Sequence, residues 1–146
     1  AVDFNDIDLL SEQIRCEDCD DQRYDLTADG RVDFNDHRAW VHEIANTFFG
    51  DSNLDGEFNT SDLVRVFQAG EYEDNVAMNS GWVTGDWDGN GDFTTGDLVL
   101  AFREGGYEQG PRPELAAVPE PDGIVMVTIA LVLAAVSSSR RRGRRF

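Results

Sequence analysis

Apolar residues recur along the chain in four short clusters at helical spacing: Ile7, Leu10 and Ile14; Trp40, Val41 and Ile44; Leu63, Val66 and Phe67; Leu98, Ala101 and Phe102. Steps of three and four residues place each cluster on one face of a helix, so the pattern predicts short amphipathic helices. Ahead of each cluster lies a polar stretch rich in Asp, Asn, Thr and Gly, which reads as a loop. An Asp stands at each loop–helix junction (Asp6, Asp36, Asp62 and Asp97), where the helix dipole favours a carboxylate. Gly70 and the pair Gly105-Gly106 stop the last two helices. Gly110 to Ala117 then reads as a linker.

The loops are copies of one another. Residues from Gly50 to Phe67 align without a gap with those from Gly85 to Phe102, at a period of 35. A third copy runs from Asp25 to Asp36, and the back half of a fourth occupies residues 1 to 10. Because the chain opens inside a repeat and begins with Ala1, it is expected to be the C-terminal part of a longer protein.

Charge narrows the reading. The 146 residues suit one or two small domains. The formal charge of -17 conceals an asymmetry, since there is no Lys and five of the twelve Arg lie in the last seven positions. Residues 1 to 117 hold 27 acidic against 7 basic side chains, a net -20. Such a body repels phosphate backbones, so no nucleic acid is expected as a partner. A disordered acidic segment would be poor in aromatics, whereas Phe, Trp and Tyr make up 10% here and recur beside Gly and Asp. A folded domain completed by cations is therefore expected.

The loops have the chemistry for this. Hard cations take oxygen ligands, and alternating Asp and Asn can wrap six or seven oxygens around Ca2+ if the chain turns sharply midway. Gly30, Gly56 and Gly91 stand at that sixth place, and Val32, Phe58 and Phe93 at the eighth, where an apolar side chain can meet a neighbouring loop. The candidate ligands at places one, three, five, nine and twelve are Asp25, Thr27, Asp29, Asp33 and Asp36; Asp51, Asn53, Asp55, Asn59 and Asp62; and Asp86, Asp88, Asn90, Thr94 and Asp97. The backbone carbonyls of Arg31, Glu57 and Asp92 supply the seventh-place oxygen. Thr27 offers a neutral hydroxyl where Asp or Asn is usual, so the loop from Asp25 is expected to bind most weakly.

These loops resemble the EF-hand calcium loop, and more closely its dockerin variant, in which Asp closes the loop and only the following helix is present. The resemblance covers roughly residues 1 to 107 and implies Ca2+ as cofactor. It further implies a non-catalytic role, docking onto a cohesin-like protein partner in polysaccharide degradation. In that family recognition uses places ten and eleven, here Phe34 and Asn35, Thr60 and Ser61, and Thr95 and Gly96. These pairs differ from one another, and four partial repeats exceed the usual two, so a calcium-stabilised spacer or attachment module stands beside docking.

Other residues admit different readings. Cys16 and Cys19 form C-x-x-C, read as a local disulfide or as two free thiols; zinc with His37 and His42 is less favoured, there being no second cysteine pair. Trp40, Trp82 and Trp87 suit either a small core or a sugar-stacking platform, the latter making a glycan-binding module. Carboxylates are plentiful, as in glycoside hydrolases. They are already assigned as ligands, however, and no nucleophile–base pair presents itself, so no enzyme activity is expected of this segment, although a missing upstream part could carry one.

The end of the chain is a different regime. Val118, Pro119, Glu120 and Pro121 precede an apolar run from Gly123 to Val136, including Ile124, and then an Arg cluster that includes Arg140, Arg141 and Arg142. The run can just span a membrane if Ser and snorkelling Arg are counted, with the Arg end in the cytoplasm. This order resembles the PEP-CTERM sorting tail of bacterial surface proteins, which implies an exosortase-type processing enzyme and an exported, cell-envelope or cell-surface location. The expected fold class is all-α: tandem calcium loop-helix units followed by a C-terminal transmembrane helix. The expected organisation is a first repeat pair over 1–45, a second over 46–108, a linker over 109–117 and the sorting tail over 118–146.

Overall fold

A computed structural model describes residues 2–16, 19 and 21–113. The chain divides into two units, Ala1–Leu115 and Ala116–Phe146, and the described residues all belong to the first. Among the described residues four helices follow one another: α1 (Phe4–Arg15), α2 (Phe34–Ala39, passing into a π-helical turn Trp40–Ile44), α3 (Thr60–Ala69) and α4 (Thr95–Glu104). Short 3-10 turns lie at Gln22–Tyr24 and Trp82–Thr84. Sheet pairing among the described residues is an isolated bridge between Phe58 and Tyr107.

One device starts all four helices. The N-cap is the ninth-place residue of each repeat (Asp3, Asp33, Asn59 or Thr94), whose side chain accepts an amide of the first turn. The twelfth-place Asp returns the bond to the N-cap amide, completing a capping box. The ninth and twelfth places thus begin the helix by the same side chains that the loop pattern nominates as ligands. Gly70 ends α3 in the left-handed region, where a side chain would be strained.

The core is aromatic. Trp82, Trp87, Phe49, Phe58 and Phe93 are buried together with Ile7, Leu10, Val41, Val66 and Ala101. Trp82 Nε1 donates to the Asp51 carbonyl at 2.6 Å, tying one loop to the segment before the next. Three residues expected on buried faces, Ile44, Phe67 and Phe102, are instead about half exposed. For Ile44 the π-helical turn shifts the phase of the last residues of the helix. Phe67 and Phe102 have another partner.

That partner lies in the other repeat. Phe93 packs at tilted or edge-to-face angles against Phe67 and Tyr72, and Phe58 against Phe102 and Tyr107. The Glu73 amide donates to the Phe93 carbonyl at 2.9 Å, and the Glu108 amide to the Phe58 carbonyl at 2.8 Å. Tyr72 and Thr95 hydroxyls meet at 2.8 Å, Tyr107 and Thr60 hydroxyls at 3.0 Å. The last two repeats therefore exchange equivalent contacts, each eighth-place Phe being covered by the residues after the other repeat's helix. Trp87 lies between the two phenylalanines, 5.9 Å from Phe58 and 5.8 Å from Phe93 by ring centroids.

The expected fold class requires correction. Among the described residues no helix is long and apolar enough to cross a membrane. The longest, α1, has 12 residues and carries Asp and Glu, whereas a span takes about 20 apolar ones. The all-α part of the expectation is met only by these four short helices among extensive loops. The transmembrane helix with Ile124, Val136, Arg140, Arg141 and Arg142, and the motif Val118, Pro119, Glu120 and Pro121, lie outside the described residues.

Candidate metal centre

Each loop is shaped by its own first and last carboxylates. Asp25 accepts the amides of Asp29 and Gly30 at 3.2 and 2.8 Å, Asp51 those of Asp55 and Gly56 at 3.2 and 2.8 Å, and Asp86 that of Gly91 at 2.8 Å. Closing the ring needs positive φ at the sixth place, found at Gly30, Gly56 and Gly91. At the other end, Asp36 collects the amides of Leu26, Thr27 and Asp33, Asp62 those of Ser52 and Asn59, and Asp97 those of Trp87, Asp88 and Thr94, all at 2.8–3.0 Å. These bonds turn the chain inward at both ends of each loop.

The loop from Asp86 goes further than the others. Carboxylate oxygens of Asp86, Asp88 and Asp97 all lie within 4.8 Å of one another, an arrangement placed to hold a metal ion. Asp86 and Asp97 are buried and Asp88 half-buried. Asp86 Oδ1 is enclosed and has no hydrogen-bond partner among the described residues. Burial pushes the Asp86 carboxyl up to about 7, against the Gly91 amide, and the charges of Asp97 and Asp88 add to the rise. Burial likewise raises Asp88 and Asp97. Three crowded acids, one with an orphaned oxygen, form a donor set that fits a hard cation.

The remaining candidates of this loop are Asn90, exposed, Thr94, the helix N-cap, and Asp92, whose side chain turns away to accept the Met78 amide at 2.6 Å. In the loop from Asp51, Asp51 and Asp62 are buried, Asn53 and Asp55 exposed, and Glu57 and Asn59 half-buried. Asn53 Nδ2 donates to Asp55 Oδ2 at 2.8 Å, so these two side chains are paired with each other. Burial pushes Asp51 up to about 6 and raises Asp62. In the loop from Asp25, Thr27, Asp29 and Arg31 are exposed and Asp25 and Asp33 half-buried. There burial of Asp36 is outweighed by the Asp33, Thr27 and Leu26 amides, and its carboxyl is held below the usual range. Asp62 and Asp97 accept at least as many bonds from the chain, but there burial outweighs them; among the candidate ligands described, the buried oxygen without a partner is Asp86 Oδ1.

Two neighbours of these loops come from positions that local pattern does not reveal. Arg15 of α1 donates to the Gly89 carbonyl inside the loop from Asp86. The Thr47 hydroxyl donates to Asp51. Trp82 and Trp87 are fully buried and Trp40 nearly so, which makes them core residues and not a sugar platform. Cys16 and Cys19 are joined in a disulfide. His37 is buried among Phe34, Phe49 and Trp82, and His42 contacts Arg112 and the Thr47 carbonyl, so neither histidine is set beside a thiolate. Compared with known proteins, the chain matches no family model, no curated protein sequence and no solved structure.

Proposed function

We propose that residues 2–113 are a non-catalytic calcium-binding module of dockerin-like type, serving attachment or protein docking within a larger exported protein of the cell envelope or surface. The carrying observation is the Asp86–Asp88–Asp97 trio with its buried, unpartnered Asp86 oxygen. Calcium suits it better than a softer transition metal, because the donors are all oxygens and the seventh-place carbonyl and Thr94 enlarge the set toward six or seven. The loop from Asp51 is the second site of the proposal and the loop from Asp25 the weakest.

Export accords with the Cys16–Cys19 disulfide, a bond that persists in oxidising compartments. The Val118–Pro121 motif adds an exosortase-type enzyme to the proposed partners. Docking onto a cohesin-like protein is favoured over a bare spacer by the exchanged contacts of the last two repeats. They leave Val64 and Val99, 35 residues apart, exposed at equivalent places of α3 and α4.

The test is thermal unfolding of the full chain, followed by circular dichroism in calcium and in excess chelator. A site filled at about 100 times its dissociation constant adds about 2.7 kcal/mol. For a body of this size that corresponds to a rise in Tm of roughly 10 °C or more per site. The same melting temperature and helicity in both conditions would refute the proposal.

A further inference from the structure

Arg15, in the last turn of α1, reaches out of its own repeat onto the loop from Asp86. Its Nη1 donates to the Gly89 carbonyl at 2.6 Å and stands 3.7 Å from Asp86 Oδ2. Asp86 is the carboxylate whose other oxygen is enclosed without a partner. The helix is seated there by more than this one residue. Asp8 Oδ1 accepts the Trp82 amide at 2.8 Å, and Ser11 Oγ lies 3.0 Å from where a Cβ on Gly89 would stand. In the loop from Asp51 the equivalent carboxylate meets a neutral group instead, the Thr47 hydroxyl.

We infer that Arg15 is a resident counter-cation of the Asp86 loop, which weakens divalent-ion binding there and sets the charge the site prefers. The inference rests on the metal-binding reading proposed above. With all three carboxylates ionised, one guanidinium leaves two negative charges, equal and opposite to a divalent ion; without the guanidinium, three remain. Arg15 is not required to shape the ligands, because the Gly91, Trp87, Asp88 and Thr94 amides already hold Asp86 and Asp97 from within the loop. Its net effect on an incoming cation is therefore repulsion. A divalent and a unit charge a few ångströms apart differ by about tenfold in affinity even at the dielectric of water, and by more in a partly buried site. By linkage, an ion bound in the loop loosens the hold of Arg15 on it, so calcium and the seating of α1 oppose each other.

Calorimetric titration of calcium into the full chain at about pH 8, where the carboxylates are ionised, tests this, with the Asp86-loop site assigned as the one weakened in Asp88→Asn. Arg15→Gln is expected to bind calcium at that site about tenfold more tightly, Arg15→Lys as the unmodified chain does, and the other loop unchanged in both. Terbium competition supplies a second reading: the preference for the trivalent ion rises in Arg15→Gln, a ratio that an overall loss of stability does not imitate. Equal or weaker calcium binding by Arg15→Gln, or an unchanged terbium preference, overturns the counter-cation while leaving the metal-binding reading standing. Failure of both proteins to take up calcium overturns the two together.

Discussion

Asp86 carries two demands that a proton or a bound cation would reconcile. It must stay close to the Gly91 amide to turn the loop, yet it is buried with one oxygen unpartnered beside Asp88 and Asp97. Without metal its carboxyl is pushed up to about 7, so below that pH the metal-free form holds a proton that calcium must displace. Calcium affinity at this loop is then expected to fall about tenfold per pH unit below about 7, and binding at pH 6 to release about one proton. Titrations at pH 6 and pH 8 in buffers of different ionisation enthalpy measure that release; no difference between buffers at pH 6 would contradict it. For the metal-free fold the sign is reversed, because a group with a raised folded pKa stabilises the fold increasingly as pH falls from about 7 toward its ordinary 3.8. His37, lowered to about 4 by burial and then by Arg15, opposes this below about 6.5, since protonation favours the unfolded chain. The trio Asp86, Asp88 and Asp97 was legible in the sequence, because the alternation of acidic and polar residues around Gly91 is local. That the loop from Asp86 alone has Asp at places one, three and twelve was legible too, since Asn53 and Thr27 hold the third place elsewhere; the enclosed, unpartnered oxygen of Asp86 was not, because it depends on burial by the rest of the fold.

At the level of elements, the helix starts were the most readable feature. Asp62 and Asp97 sit three residues after Asn59 and Thr94, and that spacing is both the end of the loop pattern and a capping box. Less readable was the fate of Phe67 and Phe102, which periodicity assigns to a buried face. They are half exposed and pack against the rings of Phe93 and Phe58 and against Tyr72 and Tyr107, and nothing within one helix announces a partner from the other repeat. The exchange makes each loop depend on the other's helix. Phe93→Ala is therefore expected to cost about 3–5 kcal/mol and to lower calcium affinity at the loop from Asp51 as well as at its own. Denaturant unfolding together with calcium titration measures both effects, and a variant whose Asp51-loop affinity is unchanged would show that the repeats act separately.

Across the described residues as a whole, an acidic chain is held together around an aromatic core with little opposing charge of its own. Arg15 on the Asp86 loop and Arg112, whose amide reaches the Gly56 carbonyl at 3.1 Å and whose guanidinium lies over Phe48, are two places where a cation meets a loop or its surroundings. On the proposed calcium-binding reading, most of the remaining repulsion is offset by bound ions. The repeat period and the net charge pointed to such an arrangement, but the membrane-spanning helix drawn from the same sequence has no counterpart among the described helices. The seating of α1 on the last loop was likewise out of reach, because Arg15 and Gly89 are brought together only by the packing of Trp82 and its neighbours.

The Asp-rich loops are proposed to bind calcium, with Asp86, Asp88 and Asp97 forming the best-assembled site. The most direct test is calorimetric titration of calcium into the chelator-stripped full chain at pH 8, beside Asp88→Asn. The expected result is saturable uptake at more than one site, with one site weakened by about tenfold or more in Asp88→Asn because a ligand charge is removed. Absence of calcium-dependent heat in the unmodified chain, or titration curves that the substitution leaves unchanged, would contradict it.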